Sequence, residues 1–195
     1  MTEPTPKGRP GGRTARTTQA VIDATTALLG EVAPADLTVG QIAAHAGVNA
    51  ATVYRKWGTK EALLREVLLT LSAERLTTPD TGSLRGDLVA TVAAVADFLR
   101  TPAGYALAVL AATAEDDTSQ ELRDAFWGDR FARAERIFTR AVERGELLDA
   151  DDALLAYEAM IATLHFRILA RRRALDADIA EQLVDLMLGG LTSRN

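Results

Sequence analysis

Residues 37–64 read LTVGQIAAHAGVNAATVYRKWGTKEALL, and this stretch decides the fold. Thr38 is followed three residues later by Gln41, the spacing at which a hydroxyl and an amide cap each other's backbone groups. We therefore expect a helix to begin at the next residue. Gly47 supplies the positive φ that a tight turn between helices requires, and Asn49 is a good N-cap for a second helix. The stretch predicts two short helices joined by a glycine turn.

The second helix of this pair combines a small first turn with a cationic second turn. The first turn holds Ala50, Ala51 and Thr52, and Tyr54, Arg55 and Lys56 follow. Small side chains let a helix approach base edges closely, while guanidinium and ammonium groups suit guanine and phosphate. The combination predicts a helix that enters the major groove of DNA.

The pattern resembles the helix-turn-helix of the tetracycline-repressor (TetR) family of bacterial transcriptional regulators. The features that coincide over about residues 16–70 are an apolar upstream helix, the Thr38 cap, Ala46-Gly47-Val48, Thr52-Val53-Tyr54 and Lys60-Glu61-Ala62-Leu63-Leu64. The resemblance implies an all-α protein of about nine helices. It would have an N-terminal three-helix DNA-binding domain and a C-terminal helical bundle for ligand binding and dimerisation.

Composition excludes several classes of protein. The chain has 195 residues, 48% of them hydrophobic, which is enough to bury a proper core. There is no cysteine and there are only two histidines, so disulfides and thiolate metal sites are excluded and no metal or cofactor is expected. The longest uncharged runs are shorter than the roughly 20 residues of a membrane span, and no signal peptide is evident. We expect a cytoplasmic protein with no membrane partner.

The charge is distributed unequally along the chain. The net charge is −5, yet residues 1–65 carry eight basic against five acidic side chains, and residues 66–195 carry fourteen against twenty-two. A cationic N-terminal part is attracted to phosphate, and an acidic remainder discourages non-specific coating of the duplex.

Three regions are expected. Residues 1–15, rich in Pro, Gly and Thr, are predicted to be a flexible basic arm. Residues 16–62 are predicted to form the helix-turn-helix domain and residues 63–195 the effector-binding and dimerisation domain, with a helix over 60–75 linking the two. From Arg16 onward the apolar spacing is helical, and no run alternates with period two.

The last two predicted helices favour a second copy of the chain. An apolar seam in the first of them steps by three and four residues, which is typical of a helix that packs along a neighbour. In the resembled family the last two helices pair with their symmetry mates. The predicted interface residues are Leu154, Ile161, Leu164, Ile168, Leu183, Leu186, Met187 and Gly190.

The resemblance also implies roles in DNA binding. Tyr54 and Lys60 match positions that touch phosphate, and Thr38 begins a helix whose N-terminus points at the backbone. The candidates near the bases are Asn49, Ala50, Ala51, Thr52, Arg55 and Lys56, and those for the minor groove or phosphates are Arg9, Arg13 and Arg16. Each has a rival interpretation, because Tyr54 could pack against the preceding helix, the cations could form a solvated face and the N-terminal arginines could make no ordered contact. A homodimer on double-stranded DNA with a palindromic operator is expected.

An unidentified small-molecule effector is implied for the C-terminal region. The side chains that could line its pocket are Phe98, Tyr105, Phe126, Trp127, Phe131, Tyr157, Met160, His165 and Phe166. Trp127 and His165 are the preferred pair, because each combines apolar surface with a polar group. At helical spacing all of these residues are also interpretable as core.

No enzyme motif is present in the sequence. There is no P-loop, no GxSxG elbow and no HExxH, so the chain is not expected to be an enzyme. A repressor released by its effector is the favoured interpretation. The alternatives are a DNA-binding regulator without an inducer and a helical enzyme or carrier.

Overall fold

The computed structural model describes residues 11–113, 117–147, 149–150 and 152–192, and every regular element within these ranges is helical. The helices are α1 (Gly11–Leu28), α2 (Val39–His45), α3 (Ala50–Trp57), α4 (Lys60–Arg75), α5 (Leu84–Arg100), α6 (Pro102–Thr113), α7 (Asp117–Glu143), α8 (Ala153–His165), which continues as one π-helical turn (Phe166–Ala170), and α9 (Ile179–Thr192). The expected all-α fold is confirmed.

The chain divides into two compact units, Met1–Val67 and Leu68–Asn195. We call them the N-terminal unit and the C-terminal unit. The division falls inside α4, which is one continuous helix. It lies a few residues beyond the boundary at residue 62 that the sequence suggested.

The N-terminal unit is held together by apolar faces on its short helices. α1 packs on α2, and α2 packs on α3. Val21, Ile42, Val53, Leu63 and Val67 are at most 1% exposed, so each helix of this unit contributes at least one fully buried side chain. A seven-residue helix such as α2 is marginal alone, and this packing stabilises it.

α1 begins earlier than the sequence suggested. Its first residue is Gly11, so residues 11–15 are helical and not part of a flexible arm. Ala15 and Arg16 are good helix formers, and they extend the amphipathic helix by about one turn beyond its buried face.

α5 is the central helix of the C-terminal unit and packs against α6, α7, α8 and α9. Its chain turns by 94° into α6 at Thr101. Thr101 Oγ1 donates to the carbonyl of Phe98 and accepts from the amide of Gly104, at 2.7 and 3.0 Å. A Cβ on Gly104 would lie 2.0 Å from that carbonyl oxygen, so this corner requires glycine.

A buried carboxylate fixes the segment that follows α4. Asp87 is fully buried, and its Oδ1 accepts from the amide and hydroxyl of Thr81, at 2.6 and 2.8 Å. Its Oδ2 lies 3.5 Å from Arg140 and 3.8 Å from Arg144 of α7. We call these four residues the Asp87 cluster. Because the charge is paired and hydrogen-bonded, its burial is tolerated.

α8 begins at Ala153 and gives way to the π-helical turn at Phe166. Residues 153–170 are long and apolar enough to cross a membrane. Met160 and Leu164 are fully buried in the C-terminal unit, so this composition is that of a core helix.

Candidate nucleic-acid interface and internal cavity

The two short helices α2 and α3 are capped as the sequence predicted. The amide of Gln41 donates to Thr38 Oγ1 at 3.3 Å, and the amide of Thr38 donates to Gln41 Oε1 at 2.8 Å. Asn49 Oδ1 accepts from the amide of Ala51 at 2.8 Å and so caps α3. These local bonds fix where α2 and α3 begin, because they satisfy backbone donors that have no partner inside the helix.

The turn between α2 and α3 depends on one glycine. Gly47 has φ +65°, and the amide of Val48 then donates to the carbonyl of Ala43 at 2.9 Å. A Cβ on Gly47 would meet nothing within 4 Å, so glycine is required here by backbone conformation and not by space.

α3 presents one face to the core and the other to solvent. Val53 is 1% exposed and anchors the helix, whereas Tyr54 is 54% exposed and Arg55 is also exposed. More than half of the Tyr54 side chain is therefore open to solvent. Asn49 and Ala51 are exposed, and Ala50 and Thr52 are half-buried. A row of small and polar groups thus leads into Tyr54 and Arg55.

Lys56 makes contacts within its own unit that the sequence did not indicate. Its Nζ lies 2.9 Å from Glu66 Oε1, 3.0 Å from Thr18 Oγ1 and 4.4 Å from the centre of the Trp57 ring. Trp57 Nε1 donates to the other oxygen of Glu66 at 2.6 Å. This network joins α1, α3 and α4. Trp57 thereby serves as an anchor.

Lys60 is also engaged inside the N-terminal unit. Its ammonium donates to the carbonyls of Pro34 and Ala35, at 3.0 and 3.3 Å. The first turn of α4 is thus tied to the loop before α2. Because an ammonium has three donors, one proton of Lys60 remains for an oxygen outside the protein.

The basic residues nearer the N-terminus are only partly described. Thr38, at the start of α2, and Arg16, on α1, are both exposed. Arg13 lies within α1, but its side chain is outside the described residues, as is the whole of Arg9.

The C-terminal unit contains a large cavity of about 590 Å³ that opens to solvent on one side. This volume lies within the usual range of small-molecule sites, roughly 300–1,000 Å³. Its walls are mostly apolar and come from the end of α4, from α5 to α8 and from the π-helical turn. They consist of Leu68, Leu76, Val95, Phe98, Leu99, Leu107, Ala108, Ala111, Ala112, Phe126, Trp127, Arg130, Phe131, Tyr157, Glu158, Ile161, Ala162, His165 and Leu169.

Aromatic pairs and a few polar groups give the cavity its chemistry. Trp127 meets Phe126 and His165 edge to face, with ring centres 5.2 and 5.7 Å apart. His165 Nδ1 lies 2.9 Å from the carbonyl of Ile161, which can only accept, so Nδ1 carries the proton. Burial lowers the pKa of His165. The neutral ring therefore offers Nε2 as an acceptor.

Two family models match the chain. “Bacterial regulatory proteins, tetR family” matches residues 21–67, and “Tetracyclin repressor-like, C-terminal domain” matches residues 78–187. The HTH-type transcriptional regulator AqdR of Rhodococcus erythropolis is 32% identical over 192 residues, which cover 97% of this chain and 93% of AqdR. The chain belongs to the TetR family. It is a DNA-binding helix-turn-helix regulator of transcription.

Solved structures agree with this family assignment. The TetR family transcription regulator SCO0332 superposes with a TM-score of 0.72 at 27% identity, covering 90% of this chain and 98% of that one. FadR from Bacillus subtilis, solved in complex with stearoyl-CoA, superposes with a TM-score of 0.68 at 18% identity, covering 88% and 98%, and so shares the fold.

Six of the nine predicted pocket residues of this TetR-family chain line the cavity. These are Phe98, Phe126, Trp127, Phe131, Tyr157 and His165. Tyr105 and Phe166 do not line it and are 39% and 59% exposed, and Met160 does not because it is fully packed in the core. Arg130 and Glu158 carry the charges of the cavity wall. They were not predicted, because both follow the ordinary pattern of surface helix residues.

The predicted dimer residues fall into a buried group and a group that is at least partly exposed. Leu164, Ile161 and Leu183 are 0%, 4% and 6% exposed in the single chain, so they are core residues with no surface to offer a partner. Their seam packs within the chain, where α8 meets α7 and α9. Leu186 is 69% exposed. Leu154, Ile168 and Met187 are half-buried, and the surface of Gly190 is outside the described residues.

Proposed function

We propose that this TetR-family regulator is a repressor that binds a palindromic operator as a homodimer and is released by a small molecule in the cavity. The observation that supports release is the cavity itself, a hollow of about 590 Å³ in an otherwise packed helical unit. Empty apolar volume lowers stability, so a hollow of this size favours a role in binding.

The exposed face of α3 is the proposed base-contacting surface. Arg55 is exposed, and its guanidinium can donate two hydrogen bonds to one guanine. Lys56 already contacts Glu66 and Thr18, so its cation positions α3 before DNA arrives. Tyr54 and the remaining donor of Lys60 are assigned to phosphates, which fix the register without selecting the sequence.

The exposed apolar side chains of the C-terminal helices are the proposed dimer surface. Leu155 on α8 and Leu186 on α9 are 65% and 69% exposed. Exposed leucines on the last two helices favour burial against a second copy, which would place two copies of α3 on two half-sites. The variant Leu186→Arg should shift the protein toward monomer in analytical ultracentrifugation and weaken operator binding. Leu183→Val, which alters only the core, should leave the dimer intact.

Selection of bound fragments from the source genome tests the DNA-binding part of the proposal. We expect a palindromic fragment whose affinity falls steeply with salt, by roughly 10³–10⁵ between 50 and 200 mM if six to ten phosphates are contacted. Absence of binding even at low salt would contradict the proposal and favour a carrier or an enzyme.

A thermal-shift screen tests the release. A ligand that binds the folded C-terminal unit raises the unfolding temperature, and an effector must in addition lower operator affinity. If ligands that stabilise the protein never change operator affinity, the regulator works without a small-molecule inducer.

A further inference from the structure

Arg130 is a buried guanidinium in the cavity wall whose charge is only partly compensated. It is 6% exposed. Its Nη1 donates to the carbonyl of Leu76 at 2.8 Å, and its Nη2 lies 3.7 Å from Asp129. Asp129 is half exposed and is shared with Arg133, whose Nε lies 2.7 Å away. Within the described part of the chain, Arg130 Nε has no hydrogen-bond partner.

Such an arrangement is unfavourable while the cavity is empty. Burial lowers the pKa of Arg130, but a guanidinium remains charged at any physiological pH. A buried charge with an unused hydrogen-bond donor lowers the stability of the protein unless a group of opposite charge pairs with it and accepts the hydrogen bond. A carboxylate would supply that partner, because its two oxygens match the fork of a guanidinium.

We propose that the effector of this regulator is an apolar molecule with one anionic oxygen group, and that Arg130 binds that group. The proposal rests on the cavity being the effector site. It specifies the class of ligand, an organic acid, and the side chain that selects it.

The surroundings of Arg130 suit the remainder of such a molecule. The ring of Phe126 lies 5.3 Å from Arg130 Cζ, and the ring of Phe131 meets Tyr157 edge to face at 5.9 Å. Tyr157 is 3% exposed, and burial raises its pKa, so its hydroxyl stays neutral and can donate to the same anion. One aromatic ring thus lies beside the guanidinium and two more line the same cavity, which favours a ligand with a flat apolar body.

A cationic ligand is the main alternative, and Glu158 is the side chain that would favour it. Glu158 also lines the cavity but is exposed to solvent. An exposed carboxylate is well hydrated and its field is screened, whereas the buried guanidinium acts at low dielectric. Arg130, the more deeply buried of the two charges, therefore favours an anionic ligand over a cationic one.

The same guanidinium also holds the end of α4. The carbonyl of Leu76, directly after α4, accepts from Arg130 at 2.8 Å and lies 3.5 Å from Nη1 of Arg133. An anion that binds Arg130 changes its hydrogen bond to the Leu76 carbonyl. Ligand binding would thereby affect α4, the helix whose N-terminal turn belongs to the DNA-binding unit.

A matched set of probes tests the proposal on the full-length protein. Isothermal titration calorimetry compares 4-butylbenzoate, 4-butylbenzyl alcohol and 4-butylbenzylamine, which share one apolar body and differ in charge. We expect the carboxylate to bind at least about tenfold more tightly than the alcohol, the usual effect of a charge-assisted hydrogen bond, and the amine to bind most weakly.

Variants assign the preference to Arg130. Arg130→Met should remove the advantage of the carboxylate and leave the affinity of the alcohol unchanged, which also shows that the cavity is intact. Arg130→Lys should retain part of the carboxylate's advantage over the alcohol. Arg133→Met is the matched control, because Arg133 lies one turn away on α7 and does not line the large cavity.

Three results would overturn the proposal: a carboxylate preference that survives in Arg130→Met, equal or stronger binding of the amine by the wild type, and no binding of any probe. Operator binding without a ligand is measured in parallel. If the operator is bound and other molecules release it, only the organic-acid proposal fails. If no operator is bound, the repressor proposal fails while calorimetry still decides the preference for an anion.

Discussion

The two units of this TetR-family regulator differ in where their candidate binding residues lie. In the N-terminal unit the residues proposed to contact DNA lie on the surface of α3, and bonds between near neighbours such as Asn49 and Ala51 position them. In the C-terminal unit the residues proposed to bind the effector line a cavity whose wall joins residues as distant as Leu68 and Leu169. Local capping can create a binding surface, whereas a cavity needs the packing of several helices.

This difference predicts where substitutions reduce protein stability most and where they reduce operator specificity most. We expect substitutions on the exposed face of α3 to change operator specificity more than protein stability. The C-terminal unit combines fully packed regions with a cavity, so the loss of stability should depend on which of the two is changed. Each of the following variants compares these environments, beginning with the largest expected effect.

Truncation of two phenylalanines on α7 separates the packed region from the hollow one. Phe138 is 1% exposed and lies away from the cavity, so Phe138→Ala should lower the free energy of unfolding by about 3–5 kcal/mol. Phe131→Ala should cost clearly less, because Phe131 already borders empty volume. Urea unfolding followed by circular dichroism measures both. Equal losses would show that the cavity behaves as packed core.

Two cations of the N-terminal unit separate sequence selection from general affinity. Arg55→Ala should lose about 1–3 kcal/mol of discrimination at one or two operator positions. Lys60→Ala should weaken binding to all sequences alike and reduce the salt slope by about one unit. Fluorescence anisotropy with single-base operator variants tests this, and uniform losses from both substitutions would refute the division of roles.

Two glycines of the same region should respond with opposite signs. Gly47→Ala places a Cβ on a residue with φ +65° and should destabilise the protein by about 1 kcal/mol. Gly40→Ala is the control, because it lies inside α2 with its nearest contact at 3.9 Å, and it should stabilise by up to about 1 kcal/mol. Thermal unfolding measures both, and a stabilising Gly47→Ala would show that the turn does not depend on glycine.

The smallest expected effect is a pH dependence that arises in the cavity. Burial lowers the pKa of His165 below its ordinary 6.5, so between the two values the unfolded chain binds a proton that the folded chain does not. The free energy of unfolding should therefore fall as the pH decreases from about 6.5 toward the folded pKa, and this contribution is constant above 6.5.

Urea titrations at pH 7.5 and 5.5 test this dependence. His165→Gln should reduce the difference between the two pH values. His45→Gln is the matched control, because His45 is exposed and is the other histidine of the chain. A pH dependence unchanged in His165→Gln would assign it to other groups.

The sequence was sufficient wherever the deciding interactions are local. The Thr38 and Asn49 caps and the Gly47 turn fall at their predicted positions, because each is specified within a few residues. α4 likewise spans the predicted 60–75. The family and the all-α fold followed from the same stretch.

The sequence was insufficient where partners are distant. No local signal pairs Lys60 with the carbonyl of Pro34, or Lys56 with Thr18, since 26 and 38 residues separate them. Aromatic character indicated Trp127 and His165 as cavity residues but could not separate them from Met160, because core and cavity share one helical periodicity. The same ambiguity led to Leu164 being assigned to the dimer surface.

The Asp87 cluster has a consequence for how relatives of this protein can diverge. Loss of Asp87 alone would leave Arg140 and Arg144 with only their outer carboxylate partners, Asp80 and Glu146. Loss of both arginines would leave a fully buried carboxylate held only by the amide and hydroxyl of Thr81 among the described residues. Single steps away from this arrangement are therefore costly, whereas a joint exchange for apolar side chains is permitted. Positions 87, 140 and 144 should accordingly change together across related sequences.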